Sequence, residues 1–148
     1  MAFSSTANLD IYKDNLDILG DKSPSLKTYI DELQSGAAVY DYINGTSQQV
    51  VGGASYIPNN AALVTITLPT TSTVGQRLTI VGNGAGGWRV AQNAGQQINK
   101  SGATPAFTTV GTGGSLSSSN RYDTIHMVCT VANTTWVVAN GQGTHTLV

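Results

Sequence analysis

Ala62-Leu63-Val64-Thr65-Ile66-Thr67-Leu68, closed by Pro69, reads as a strong β-strand. It is rich in β-branched side chains, which suit a pleated surface, and proline ends it because it has no N–H to give a ladder. Downstream, Gln76–Val81 and Trp88–Gln92 repeat the pattern, and Gln96–Ile98 and Thr104–Val110 repeat it more weakly. Tyr122–Val131 and Thr134–Ala139 are again strong, with a short turn at Ala132-Asn133, and Gly143–Val148 offers a last strand. Upstream, Gln48–Val51 is a short strand before Gly52-Gly53. From Ala37 the period is two: Val39, Asp41 and Ile43 face one way, Tyr40 and Tyr42 the other, and Asn44-Gly45 marks a tight turn. Ser115–Asn120 reads as a flexible loop, and no internal repeat stands out. Short strands separated by Gly, Asn and Pro predict an all-β module over residues 37–148, a sandwich or jelly-roll-like fold.

The front of the chain reads differently. Ser23 is a good N-cap, Pro24 suits the first helical position, and Gly36 can close a helix. Leu26, Tyr29, Ile30 and Leu33 fall at helical spacing and form one apolar stripe. A helix this short is not stable alone, so the stripe is expected to be buried, against the β module or, as its assigned role, between subunits. Before it, Leu9, Ile11, Tyr12, Leu16, Ile18 and Leu19 are interleaved with aspartates and lysines. That mixture predicts an arm that orders against a partner, or equally an extended strand or short turn of helix packed on its own domain. Residues 1–36 are therefore the expected attachment segment.

Charge divides the chain at the same place. Residues 1–46 hold three basic and seven acidic side chains, a net of −4. Residues 47–148 hold only Arg77, Arg89, Lys100, Arg121 and Asp123, a net of +3. Charged residues are 10% of the whole, against about 25% in ordinary soluble domains. Such poverty suits an assembled β protein and leaves few groups for acid–base or metal chemistry. The near-neutral total lacks the basic stripe of a nucleic-acid binder. No apolar run is long enough for a membrane span, and the start has no signal-peptide pattern, so synthesis in a cytoplasm is expected. Cys129, the single cysteine, reads as a small buried hydrophobe.

Four constellations invite a chemical reading. Gly82, Gly84 and Gly87 satisfy G-x-G-x-x-G after a strand, but Trp88–Gln92 follows as a strand where a dinucleotide site needs a helix N-terminus. A wide glycine hairpin is the expectation, with no cofactor. His126 and His145 have no ligands at metal spacing. Asp123 is the only acid from residue 47 onward, so neither a carboxylate pair nor a catalytic triad is supported, and no enzyme is expected. Trp88, Trp136, Tyr56 and Tyr122 offer rings for a sugar-binding surface, although Trp136, between Thr135 and Val137, reads as core.

Four segments, Gly75–Ile80, Gly86–Ile98, Tyr122–Cys129 and Asn133–Val138, together resemble the β modules of tailed-bacteriophage virion proteins. These modules occur in tail spikes, tail fibres and head decoration (cement) proteins. The likeness spans about residues 60–148 and lies in a pattern, not an active-site motif. It implies a homotrimer and carries over no catalytic or binding residue. A module of 148 residues without a shaft suits a cement protein. The resemblance then implies a virion surface location, with the major capsid protein as partner. A small receptor- or carbohydrate-binding module of a tail fibre or spike is the alternative.

Overall fold

A computed structural model describes residues 39–103 and 106–148. The compact β unit begins at Tyr40 and runs to Val148. Its strands are β1 (Asp41–Ile43), β2 (Ser47–Gln49), β3 (Ser55–Pro58), β4 (Val64–Thr67), β5 (Arg77–Val81) and β6 (Trp88–Ala91). They continue with β7 (Gln97–Lys100), β8 (Ser115–Ser118), β9 (Thr124–Val131), β10 (Thr135–Gln142) and β11 (Thr146–Leu147). Two sheets result, ordered β1-β3-β5-β9-β10-β7 and β11-β8-β6-β4-β2. The fold is all-β, a sandwich, as the sequence predicts.

Its topology is not that of a jelly roll, whose strands are antiparallel. From β1 to β6 the chain alternates between the sheets at every strand. It thereby stacks β1, β3 and β5 in parallel in one sheet and β2, β4 and β6 in parallel in the other. Each pair of strands forms one coil of a short parallel stack. The second half closes it: β9 lies antiparallel to β5, β8 antiparallel to β6, and β7 joins β10 in parallel.

This crossing corrects the glycine hairpin expected at 82–87. Asn44-Gly45 joins strands of different sheets, and so does Gly82–Gly87, so both are corners. At the second corner the glycines permit close approach. A Cβ on Gly84 would overlap the backbone of Asn60, and one on Gly86 the backbone of Ala62. At those two glycines the main chains of adjacent coils touch directly.

Alternation then decides what is buried. Val64 and Ile66 of β4, Leu78 and Ile80 of β5, Trp88 and Val90 of β6, and Ile125, Met127 and Cys129 of β9 all point inward. Their period-two spacing is what a half-buried strand requires. Trp136 from β10 completes the core. Cys129 is buried as expected, with its Sγ 3.3 Å from the Ser72 hydroxyl.

Three segments depart from expectation. Ser115–Asn120 is not a flexible loop, because Ser115–Ser118 forms β8 with Ser115, Leu116 and Ser118 buried. Thr104–Val110 gives only an isolated bridge from Phe107 to Asn99, with residues 104 and 105 outside the described set. Thr108 turns inward there, and its hydroxyl accepts the Ile98 N–H at 2.8 Å, a bond that ties the loop to β7. Ser55–Pro58 is a strand that the sequence reading did not find.

Candidate functional site

The residues assigned to shell contact (Leu9, Ile11, Tyr12, Leu16, Ile18, Leu19) lie outside the described residues. So do those assigned to intersubunit packing (Leu26, Tyr29, Ile30, Leu33), and with them the helix expected over 23–36. The β unit has its own polar clusters.

The first gathers around Asp123, 8% exposed at the start of β9. Ser118 Oγ donates to Asp123 Oδ2, the Thr144 N–H donates to the same oxygen at 3.0 Å, and Asn120 Nδ2 approaches it at 3.4 Å. Gly143 permits this approach with φ 106, since a Cβ there would strike the carboxylate. The Asp123 carbonyl accepts the Trp88 indole N–H at 3.0 Å and the Gly82 N–H at 3.0 Å. One residue thus ties together the 82–87 corner, β6, β8 and the approach to β11.

Burial pushes the Asp123 carboxyl up, but the donors from Ser118, Thr144 and Asn120, with His145 nearby, outweigh it and hold the pKa below 3.8. His145 goes below 6.5, through burial first and then the Lys100 ammonium, against the opposite pull of Asp123 and the Thr124 backbone. Lys100 Nζ lies 3.0 Å from His145 Nδ1, an arrangement in which the ammonium donates to a neutral imidazole. The His145 ring packs on Trp88 at 5.5 Å between centroids.

Ser118, Asp123 and His145 do not compose a nucleophile and its base. The serine proton goes to the carboxylate, whereas activation requires it to go to the imidazole. His126 lies on the outward face of β9, between the inward Ile125 and Met127. Among the described residues no three His, Cys, Asp or Glu gather as metal ligands.

A buried amide cluster is the second. Gln92 Nε2 donates to the carbonyls of Gln96, Thr109 and Gly111 at 2.6, 3.0 and 3.0 Å. Gln92 Oε1 receives the Thr108 hydroxyl. Gln96 Nε2 reaches the Pro69 carbonyl at 2.8 Å, and its Oε1 accepts the Asn93 N–H at 2.9 Å. These bonds satisfy loop backbone that has no ladder partner. Their role is architectural.

A sugar surface made of Trp88, Trp136, Tyr56 and Tyr122 does not exist. The first three are buried in the core, and the Tyr56 hydroxyl accepts the Val51 N–H. Tyr122 alone is exposed, at 63%.

Tyr122 belongs to the third cluster, at the corners of the coil stack. Asn59 Nδ2 donates to Asn44 Oδ1 at 3.0 Å, and Asn83 Nδ2 donates to Asn59 Oδ1 at 2.8 Å. The three asparagines follow β1, β3 and β5 and form a ladder across the stack. Arg121 Nε donates to the Asn83 carbonyl at 2.7 Å, and the guanidinium carbon sits 4.9 Å from the centre of the Tyr122 ring. A cavity of about 200 Å³ opens between Asn59, Asn60, Asn83, Gly84 and Arg121. The sequence reading missed Arg121 and the ladder. The available signal was an asparagine after each of three strands, obscured by unequal spacing. No family model and no curated protein matches this chain.

Proposed function

We propose that this chain is a tailed-bacteriophage virion structural protein, a trimeric head decoration (cement) protein. It attaches to the major capsid protein through residues 1–36, with the β unit as the scaffold that the arm carries. The observation that supports this reading is the use the β unit makes of its polar groups. Asp123 holds Ser118, Thr144 and Asn120, and Gln92 holds three loop carbonyls. These groups maintain architecture, not chemistry. Ten of the fifteen charges, and the apolar residues assigned to docking, lie in the front third. Weak contacts repeated over a symmetric lattice bind far more tightly than one alone.

The test is attachment to capsids stripped of decoration. Full-length protein should bind saturably, at the copy number of the shell lattice, and raise the temperature at which the capsid loses its genome. Protein lacking residues 1–38 should fold and fail to bind. Attachment of that truncated form with unchanged affinity would overturn the role of the arm. A copy number of a few per particle would move the protein to the tail.

A further inference from the structure

We propose that the corner formed by Asn59, Asn83, Arg121 and Tyr122 binds a carboxylate-bearing sugar, a uronic or sialic acid unit of a surface polysaccharide. The site belongs to the β unit alone and is independent of whether residues 1–36 bind a capsid.

Arg121 is held rigidly at this corner. Its Nε is committed to the Asn83 carbonyl at 2.7 Å, and one face of the guanidinium lies against the Tyr122 ring. A long, exposed side chain is thereby held in one place, and among the described residues its two terminal nitrogens are unengaged. That edge matches a carboxylate through two parallel hydrogen bonds. From residue 47 onward the chain has one acid, Asp123, and its carboxylate is buried and engaged by Ser118 and Thr144. The acid nearest in sequence therefore does not neutralise Arg121.

The surroundings favour a sugar over a bare anion. The asparagine ladder fixes the Asn59 and Asn83 amides, and each keeps an outer N–H for a hydroxyl. The Tyr122 ring does not line the cavity; it backs the guanidinium and holds its free edge toward the amides. A cavity of about 200 Å³ suits a single sugar unit, being smaller than the several hundred Å³ of typical drug-sized sites.

Backbone strain supplies an independent pointer. Tyr122 has φ 69, a left-handed conformation uncommon for a bulky residue, and its N–H is held by the Gly82 carbonyl at 2.8 Å. Such strain concentrates where a side chain must be presented in a fixed direction. Here it turns the ring outward, beneath the guanidinium.

The experiment titrates the full-length chain with oligogalacturonate and with a sialylated trisaccharide, by calorimetry and by saturation-transfer NMR. At least one should bind saturably and weaken as salt rises, and its carboxyl-reduced analogue should bind about ten-fold more weakly or not at all. Arg121→Gln should cost about ten-fold in affinity. Tyr122→Asn, which tolerates the left-handed backbone but removes the ring behind the guanidinium, should weaken binding about three-fold. Arg89→Gln, on the outer face of β6, should change nothing. Three outcomes would overturn the proposal: no saturable binding of either acid, wild-type affinity in Arg121→Gln with unaltered circular dichroism, or displacement by inorganic phosphate at equal concentration. The last would mark a general anion patch.

Discussion

At the scale of single residues, two tryptophans with the same burial have different surroundings. Trp88 donates its indole N–H to the Asp123 carbonyl, whereas Trp136 Nε1 has no acceptor among the described residues. Trp88→Phe should therefore cost about 1 kcal/mol more stability than Trp136→Phe, measured by urea unfolding. Glycines divide in the same way. Gly84→Ala drives a methyl into the Asn60 backbone and should cost about 2 kcal/mol or more, while Gly113→Ala enters open space and should be near neutral. The burial of Trp136 was readable from its flanking Thr135 and Val137. The exposure of Tyr122 was not, because a positive φ at a tyrosine leaves no mark in composition. For the same reason the Arg121–Tyr122 pairing stayed hidden: it depends on the direction of one residue's backbone.

Elements show how far strand patterns reach. β4, β5, β6, β9 and β10 were legible to within a few residues, because alternation and β-branching coincide there. β8 was not, since Ser115, Ser117 and Ser118 read as a loop, yet β6 and β11 flank it as ladder partners. The loops on either side of β7 depend on Gln92. Gln92→Ala would leave the Thr109 carbonyl without its donor and take one of two donors from the Gln96 and Gly111 carbonyls, and should cost about 1–3 kcal/mol in urea unfolding. The segment leading into β11 carries the pH response. His145 has its pKa lowered in the folded state, so the unfolded chain takes up a proton first as pH falls. Stability should be flat above pH about 6.5, decline below it, and level off once the folded-state value is passed. Asp123 is also lowered, so its contribution is present above about pH 3.8 and is lost as pH falls through the folded value. Urea midpoints across a pH series should show the upper decline disappear in His145→Asn and the lower one remain.

At the scale of the whole molecule, the β unit opens with a stack of coils that no sequence repeat announces. Ser55 faces Thr79 and Val64 faces Trp88, both 24 residues apart, but Asp41 faces Tyr56 after only 15 and Ser47 faces Thr65 after 18. Unequal corners erase the period while the ladders keep it. That is why an all-β sandwich was legible and its parallel order was not. Deleting residues 1–38 should leave this unit folded, with unchanged far-ultraviolet circular dichroism, because its core is drawn from Ile43 to Trp136. The order of strands also bears on synthesis. From β3 to β6 each strand pairs with the one two places earlier, so the first three coils can zip together as the chain leaves the ribosome. β5 and β6 then wait with one open side each until β9 and β8 arrive. A ribosome that stalls between residues 92 and 114 would release a half-built stack with two bare ladders, a template for aggregation.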